Sequence, residues 1–232
     1  MTTVVITGAN RGIGLALVRA YRGADATVIA GCRTPAAATD LAATGAEVHA
    51  VDLGDAGSLA EFAAAVGERP VDLLINNAGL DARAFGVADG DRDVLTLDPA
   101  VFRDVMQVNA VGPMVLTRAL VPNLRAATAA TVVMVSSQVG SMVVAQRLGR
   151  DVSYTASKAA LNMITVKFAQ ILRPEGITVV ALHPGFVRTD MGGPSADLDP
   201  ADAAAAIRTT VAALTLEQTG SFVRWDGSEH PW

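Results

Sequence analysis

The sequence predicts an α/β domain built on a doubly wound, mostly parallel β-sheet, from three observations. Short β-branched runs alternate with longer stretches rich in Ala and Leu from one end of the 232 residues to the other. Hydrophobic residues make up 51% of the chain and charged residues only 18%, which is enough apolar material to cover both faces of a sheet. No repeat, low-complexity linker or charge block marks a boundary, so we expect one domain over residues 1–232.

The predicted strands are short apolar runs rich in Val, Ile and Thr. Near-continuous apolar character is typical of parallel strands buried on both faces, because a strand with one face in water alternates apolar and polar residues instead. In chain order the strands span residues 3–7, 27–30, 47–51, 71–75, 131–135 and 178–182, with a short last strand near 222–224.

The predicted helices follow the strands, which gives the alternation of a Rossmann-type three-layer sandwich. The right-handed crossover rule then places helices on both faces of the sheet. The helices span residues 12–21, 35–44, 58–66, 99–125, 153–172 and 201–214. Residues 80–98 and 191–200 are interpreted as loops, which are either solvated connections or walls of a pocket at the carboxyl edge of the sheet.

Composition and charge exclude several classes of function. With 18 Lys and Arg against 23 Asp and Glu, the net charge is −5, which argues against a nucleic-acid or anionic-membrane surface. One cysteine, Cys32, cannot form an internal disulfide, and three scattered histidines offer no metal cluster. No apolar run approaches the ~18 residues needed to cross a bilayer. Arg11 falls where a signal peptide needs its apolar centre, so we expect a cytoplasmic protein.

A glycine-rich turn directly follows the first predicted strand and opens the first helix; its sequence is Thr7-Gly8-Ala9-Asn10-Arg11-Gly12-Ile13-Gly14. Gly8 permits a tight turn, Gly12 lets backbone approach a pyrophosphate, and Gly14 lets the helix pack on the strand. Free N–H groups and the positive end of the helix would hold the phosphates. The turn lacks the Gly-Lys-Ser/Thr ending of a nucleoside-triphosphate loop, so we predict a dinucleotide site; the alternative is a turn whose glycines serve geometry alone.

The ends of the second and third strands bear on which dinucleotide is bound. An NAD site usually carries an acid at the end of the second strand, and this chain has Gly31-Cys32-Arg33 there. Arg33 and Arg11 could clamp a 2′-phosphate, so we predict NADP(H) rather than NAD(H). Asp52, at the end of the third strand, is placed to accept from the adenine amino group; the alternative is a helix N-cap.

A tyrosine and a lysine lie four residues apart on one face of a predicted helix, in the run Tyr154-Thr-Ala-Ser-Lys158. The chain has two tyrosines and two lysines against sixteen arginines, so we do not interpret this lysine as an ordinary surface charge. Reduction of a carbonyl requires a proton donor, and an ammonium can lower the pKa of a phenol so that the proton moves both ways. A hydroxyl near the end of the fifth strand, in Ser136-Ser137-Gln-Val-Gly140, would orient the carbonyl.

The sequence resembles the short-chain dehydrogenases/reductases in their compact single-domain form, over essentially the whole chain. The ending, with Gly220-Ser-Phe, Trp225-Asp-Gly and Pro231-Trp232, resembles more loosely the carbonyl-reductase-like branch related to bacterial C-factor proteins. The motifs that carry the family resemblance are TGANRGIG (7–14), Asp52-Leu53, Asn76-Asn77-Ala78-Gly79, Asn109, SSQVG (136–140), YTASK (154–158) and His183-Pro184-Gly185-Phe186-Val187-Arg188-Thr189.

The resemblance implies roles for these residues. Tyr154 would be the general acid/base, Lys158 would lower its pKa and hold the nicotinamide ribose, and Ser137 would orient the substrate oxygen. Asn109 would hold a water that links Lys158 to solvent. The cofactor-binding residues that it implies are Gly8, Asn10, Arg11, Gly12, Ile13, Gly14, Arg33, Asp52, Leu53, Asn76, Ala78, Gly79, Tyr154, Lys158, Pro184, Gly185, Val187 and Thr189, with Asn76 and Gly79 on the ribose side and Val187 and Thr189 at the carboxamide.

Several alternatives stay open on sequence. Ser137 lies 17 residues before Tyr154, and Ser141 is a competing candidate for orienting the substrate. Residues 142–151 are either a pocket wall or an exposed insertion, and the loop after Thr189 is short, so any lid is small. We expect an NADPH-dependent reductase of small ketones or aldehydes, or the reverse alcohol dehydrogenase, acting as a homodimer or homotetramer; the alternative is a non-catalytic NADP-binding sensor.

Overall fold

The computed structural model describes residues 2–148 and 151–232 and contains one seven-stranded sheet in which neighbouring strands are all parallel. The predicted fold class is therefore confirmed. The order across the sheet is β3-β2-β1-β4-β5-β6-β7. The strands are β1 (Thr3–Thr7), β2 (Thr27–Cys32), β3 (Glu47–Ala50), β4 (Leu73–Asn76), β5 (Thr131–Val135), β6 (Thr178–His183) and β7 (Phe222–Arg224).

Helices cover both faces of the sheet and bury one hydrophobic cluster on each. Helices α1, α2 and α8 pack on one face, and α3, α5, α6 and α7 pack on the other, because the central strands carry apolar side chains on both sides. The helices are α1 (Gly12–Arg22), α2 (Thr39–Ala42), α3 (Ala56–Val66), α4 (Pro99–Met106), α5 (Gly112–Ala119), α6 (Val121–Ala126), α7 (Val152–Leu172) and α8 (Pro200–Ala213).

The order in which strands are added to the sheet changes direction at β1. Strands β2 and β3 lie on one side of β1, and β4, β5 and β6 lie on the other. Loops from the two halves separate at such a point and leave a crevice at the carboxyl ends of the strands. The ends of β1, β4 and β5 lie at Thr7, Asn76 and Val135. The sequence motifs that follow these strands are therefore brought to one edge.

The single helix predicted over residues 99–125 is wrong in detail. It is divided into α4, a π-helical turn over Gln107–Val111, α5 and α6. The π turn is closed by the N–H of Gly112, which donates to the carbonyl oxygen of Gln107 five residues earlier. Pro113 and Pro122 lie in the first turns of α5 and α6, where the missing proline N–H costs no helical hydrogen bond.

Two other predicted helices begin or end elsewhere for local reasons. Residues 35–44 form a short 3-10 turn and then α2, because Ala38 has non-helical backbone angles between them. Helix α3 begins at Ala56, two residues before its predicted start, since the Asp55 carboxylate accepts from the N–H of Ser58 and caps it. Within residues 2–148 and 151–232, no helix combines the length and apolar character that a membrane span requires.

Candidate active site

The end of β4 is tied to the glycine turn after β1 by two side chains. The Asn77 amide donates to the carbonyl oxygens of Thr7 and Gly8 at 2.9 and 3.2 Å. The Thr7 hydroxyl in turn accepts from the N–H groups of Asn77 and Ala78. These bonds fix the backbone of the turn before any ligand binds.

The glycines of the turn lie where side chains would collide with neighbouring backbone. Gly8 has φ of +65°, and a Cβ there would come within 2.7 Å of the Cα of Ala78. A Cβ on Gly14 would come within 2.1 Å of the carbonyl oxygen of Gly8. Gly12 faces Thr189, whose methyl carbon would lie 3.0 Å from a Cβ at Gly12. The turn therefore packs closely on the segment that follows β4 and on the loop that follows β6.

Helix α1 begins without a side-chain cap, because its N-cap residue, Arg11, makes no such hydrogen bond. The first N–H groups of a helix have no partner within the helix, and together with the helix dipole they favour a bound anion. The residues of the turn, Asn10 and Ile13 among them, could hold a phosphate with their backbone. Asn10 is exposed and Ile13 is half-buried.

The two arginines expected at the dinucleotide site have different surroundings. Arg33 follows β2 and its side chain is exposed. Arg11 is also exposed, but its guanidinium lies 2.5 Å from the carboxylate of Asp190 in the loop after β6. The structure thus gives Arg11 a partner that sequence reasoning did not find.

Asp52 does not cap a helix, which settles one alternative. Its carboxylate accepts from the N–H of Gly54 at 2.8 Å, while Asp55 caps α3. Asp52 is half-buried, and Leu53 is buried against Gly112, where a Cβ would come within 2.5 Å of the Leu53 carbonyl oxygen.

Three residues of the expected catalytic set meet where α7 passes the end of β5. Lys158 is buried, and its Nζ lies 5.7 Å from the centroid of the Tyr154 ring. The ammonium donates to the carbonyl oxygen of Val135 at 2.8 Å. Ser137 begins the turn after β5, and its hydroxyl forms a hydrogen bond with the Tyr154 side chain. Ser141 is fully buried, and its hydroxyl accepts from the N–H of Val144, so it does not share this position.

The half-buried Tyr154 and the buried Lys158 have pKa values shifted in opposite directions. Burial raises the pKa of Tyr154 from 10.0 to about 12; the Ser137 hydrogen bond lowers it, and the carboxylates of Asp81 and Asp151 raise it. Burial lowers the pKa of Lys158 from 10.5 to about 8. The expected lowering of the phenol pKa by Lys158 is therefore not found, because desolvation dominates and the ammonium bonds to Val135 rather than to the phenol.

Asn109 lies in the π turn and joins the loop after β4 to helix α7. Its side-chain oxygen accepts from the Leu80 N–H at 2.9 Å, and its amide donates to the Leu80 carbonyl oxygen at 2.7 Å. The same amide donates to the Ser157 hydroxyl at 3.0 Å, and that hydroxyl donates to the Tyr154 carbonyl oxygen. A Cβ on Gly79 would come within 3.4 Å of both the Lys158 ammonium and the Asn109 oxygen. Asn109 is thus part of the same cluster as Tyr154 and Lys158.

Asn76 is buried at the end of β4. Its amide donates to the Thr117 hydroxyl at 3.0 Å, and among the described residues its side-chain oxygen has no hydrogen-bond partner. This contact directs the amide toward α5, so the structure does not bring Asn76 to the Tyr154 cluster as it does Gly79.

The segment after β6 turns sharply and passes over the site. Gly185 has φ of +88°, and a Cβ there would come within 2.9 Å of Trp225. Pro184 and Val187 are buried, and Val187 pairs with Leu198 in a parallel bridge. Thr189 follows and contacts Gly12, so this segment reaches from β6 to the first βα turn.

Residues 189–193 form what we call the lid segment, which is held at two points. Asp190 pairs with Arg11, as described above. Arg83, in the loop after β4, donates to the carbonyl oxygen of Met191 at 2.8 Å and pairs with Asp81 at 2.6 Å. The lid segment therefore connects the loops after β1, β4 and β6.

Apolar side chains and a groove flank the site. A cavity of about 330 Å³ lies between the loop after β4, the turn after β5 and helix α7. Met142 and Val143, at the start of the expected insertion, are exposed. Positions 149 and 150 of that insertion lie outside the described residues. A larger cavity of about 420 Å³ lies at the β7 edge, lined by residues 219–222 and 229–232, and takes no part in the Tyr154 cluster.

Sequence reasoning missed five residues that shape this site. Asn77 and Ser157 stand inside quoted motifs but were assigned no role. Asp151 accepts from the Tyr154 N–H at 3.0 Å and caps α7, and an Asp before a predicted helix start could have indicated it. Asp81 accepts from the Arg83 N–H as a local cap, again a recognisable pattern. Asp190 carries no such signal.

A family model described as short chain dehydrogenase matches residues 2–198. The chain is 39% identical over 171 residues to C-signal of Myxococcus xanthus, which covers 74% of this chain and 98% of that protein. It is 34% identical over 239 residues, and over the full length of both chains, to 1-hydroxy-2-glutathionyl-2-methyl-3-butene dehydrogenase of Rhodococcus sp. strain AD45.

The fold is also that of a solved carbonyl reductase. The crystal structure of NADPH-bound carbonyl reductase from chicken fatty liver superposes with a TM-score of 0.89 at 30% identity, over 100% of this chain and 99% of that one. The similarity therefore extends over the whole chain.

Proposed function

The chain belongs to the short-chain dehydrogenase family, and we propose that it is an NADP(H)-dependent oxidoreductase that interconverts small ketones or aldehydes with the corresponding alcohols. One observation carries this proposal. The half-buried Tyr154 and the buried Lys158, with Ser137 bonded to the phenol, lie at the carboxyl edge of the sheet beside the glycine turn. The names of the carbonyl reductase and dehydrogenase relatives support the same reaction class.

The residues at the first βα turn fit a dinucleotide. The uncapped start of α1 offers N–H groups to a pyrophosphate, and Gly8 and Gly12 present no side chain that would block it. Arg33 is exposed at the end of β2, where no acid stands to favour a free ribose hydroxyl, and this supports NADP(H) over NAD(H). NADPH, when bound, supplies the hydride.

Tyr154 would act as the proton donor to the substrate oxygen. Its raised pKa keeps the phenol in the protonated form that a proton donor needs. Ser137, already bonded to the phenol, would orient the same oxygen through its hydroxyl. In alcohol oxidation Tyr154 would have to lose its proton, a step that the raised pKa of the phenol disfavours.

Lys158 and Asn109 would hold these groups in place and replace the lost proton. The Lys158 ammonium contacts the Val135 carbonyl oxygen, which fixes its distance from the phenol. Asn109 fixes the loop at Leu80 and, through Ser157, the backbone of Tyr154. We also propose that a water held at Asn109 links Lys158 to solvent.

We further propose that residues 1–232 act as one cytoplasmic domain that forms a homodimer or homotetramer. Met163 and Ile171 are 58% and 67% exposed on α7, which supports a helix face that pairs with a second copy. Light scattering at working concentration tests this, and a monomer would contradict it. We propose no nucleic-acid or membrane partner.

A non-catalytic NADP-binding sensor is the second candidate. The name of the M. xanthus relative, C-signal, does not describe an enzyme and favours this alternative. A protein that only binds dinucleotide has no physical need for a tyrosine, a lysine and a serine assembled at one point, so we place the reductase first.

A panel of small ketones and aldehydes, followed by the loss of NADPH absorbance, tests the two candidates. We expect turnover of at least one carbonyl class, faster with NADPH than with NADH. Tight NADPH binding without turnover on any of the panel would favour the sensor. Absence of binding to either dinucleotide would contradict both.

A further inference from the structure

Arg11 and Asp190 form an ion pair across the mouth of the cleft. Their atoms lie 2.5 Å apart although the residues are separated by 179 positions in sequence. Both side chains are mostly exposed, at 67% and 76%, so the pair does not serve core packing. Thr189, next to Asp190, contacts Gly12, next to Arg11. Two loops that each belong to the proposed dinucleotide site are therefore joined by one exposed salt bridge.

Arg11 follows β1 and Arg33 follows the neighbouring strand β2, so both stand at the same end of the sheet. Asp190 belongs to the loop after β6, which reaches back to the glycine turn at Gly12. A clamp on a 2′-phosphate would use the Arg11 guanidinium, and that guanidinium already donates to the Asp190 carboxylate.

We infer that Asp190 is a specificity-determining residue that competes with the 2′-phosphate of NADP(H) for Arg11. This inference rests on the proposed function. Carboxylate and phosphate both bind a guanidinium through its paired N–H donors. A phosphate monoester carries about −1.5 to −2 charges at pH 7 against −1 for a carboxylate, so Arg11 prefers the phosphate once both are within reach.

The second attachment of the lid segment does not depend on Arg11. Arg83 donates to the Met191 carbonyl oxygen and stays paired with Asp81 when Asp190 is released. Departure of Arg11 would therefore free the Asp190 end of the lid segment and leave the Met191 end attached. NAD(H), which has no 2′-phosphate, would leave both ends in place.

Binding measurements on the full-length protein test this competition. NADPH and NADH are titrated by their fluorescence into the parent, Asp190→Asn, Arg11→Gln and the double variant. Exposed ion pairs contribute about 0.2–1 kcal/mol, so we expect Asp190→Asn to tighten NADPH binding by up to about fivefold. NADH affinity should stay unchanged, and Asp190→Asn should have no effect on NADPH in the Arg11→Gln background.

Asp197→Asn is the matched control. It removes the same charge from the same loop at an exposed position, and no hydrogen bond or ion pair joins its side chain to Arg11. It should leave both affinities near those of the parent. If Asp197→Asn tightened NADPH binding equally, the loss of negative charge, and not the release of Arg11, would explain the effect. That result would contradict the inference.

Other outcomes separate this inference from the proposed function. Three results would contradict the competition alone. They are weaker NADPH binding by Asp190→Asn, an equal change in NADH affinity, and a gain in NADPH affinity that persists in the Arg11→Gln background. A parent that binds NADPH no better than NADH would overturn the proposed NADP(H) preference and the competition together. A parent that prefers NADPH while Asp190→Asn changes nothing would leave the proposed function standing and remove this inference.

Discussion

Lys158 and Tyr154 lie one helical turn apart on α7, with Nζ 5.7 Å from the centroid of the phenol ring, yet the ammonium donates to the carbonyl oxygen of Val135. Burial acts on the two groups in opposite senses: it raises the pKa of the phenol to about 12 and lowers that of the ammonium to about 8. Both groups are thereby disposed toward their neutral forms. A protonated phenol is the form that a carbonyl reductase needs at the start of reduction.

Substitution Tyr154→Phe should remove the proposed acid and little else. General acid catalysis contributes about 10²–10⁴-fold, so we expect kcat for carbonyl reduction to fall at least about 100-fold, while NADPH still binds with a similar fluorescence change. Tyr21→Phe is the matched control, since Tyr21 is the other tyrosine and is buried on α1. Near-normal turnover by Tyr154→Phe would make the assignment of the acid wrong.

The depressed pKa of Lys158 predicts a pH dependence of stability. Between about pH 8 and 10.5 the unfolded chain holds this proton and the folded protein does not, so stability rises with pH. The contribution is complete above pH 10.5 and is lost as the pH falls through 8. Denaturant unfolding from pH 7.5 to 9.5 should show Lys158→Met gaining stability relative to the parent as the pH falls, with a slope of up to about 1.4 kcal/mol per pH unit.

Lys167→Met serves as the control for that measurement. Lys167 is the other lysine, is exposed on the same helix, and donates to the Gln170 side chain. Its stability difference from the parent should not change over this pH range. A flat difference for Lys158→Met would contradict the buried-ammonium interpretation.

Asn109→Ala should affect both stability and turnover. It leaves the Leu80 N–H and carbonyl without their partner, which costs about 1–3 kcal/mol, and it releases Ser157 beside Tyr154. Asn123→Ala provides a comparison, because the Asn123 amide donates to the carbonyl oxygens of Gly67 and Arg69 away from the site. Both variants should unfold at a lower denaturant concentration than the parent, but only Asn109→Ala should lower the kcat of the folded protein. Equal kcat in the two variants would remove Asn109 from the catalytic set.

Arg33→Asp should reduce the preference for NADPH. The exposed guanidinium is replaced by the acid that NAD sites usually carry at this strand end, so NADPH affinity should fall by about tenfold or more while NADH affinity changes little or improves. Arg173→Asp, an exposed arginine that follows α7, controls for the change in net charge. A parent that used both dinucleotides equally would refute the preference directly.

The central strands were predictable from sequence because helices cover both of their faces. Such a strand is largely apolar, and residues 3–7 and 131–135 were located at their observed limits. The edge strand at 222–224, which ends in the exposed Arg224, was located there too. The glycine turn and the Tyr154–Lys158 spacing were also recognisable, since each depends on neighbours close in sequence. Their juxtaposition follows from the parallel order of β1, β4 and β5.

Features made by residues distant in sequence, or by small changes in hydrogen bonding, were not predictable. The partner of Arg11 is an exposed aspartate 179 positions away, and no periodicity marks it. The pattern of hydrophobic residues does not reveal the π turn, because the helices on either side of it keep an ordinary amphipathic repeat. The direction of the Tyr154 pKa shift depended on how much water the surrounding loops exclude, which spacing alone does not reveal.

The π turn at Gln107–Val111 gives this part of the chain one more residue than an α-helix of the same rise would use. Each added residue rotates everything downstream by about 100°, so α5 shows the sheet a different side from the one that an uninterrupted extension of α4 would show. Asn109 lies within this turn, so the extra residue accompanies its contacts with Leu80 and Ser157. Removing a single residue from the turn should restore regular winding and disturb those contacts.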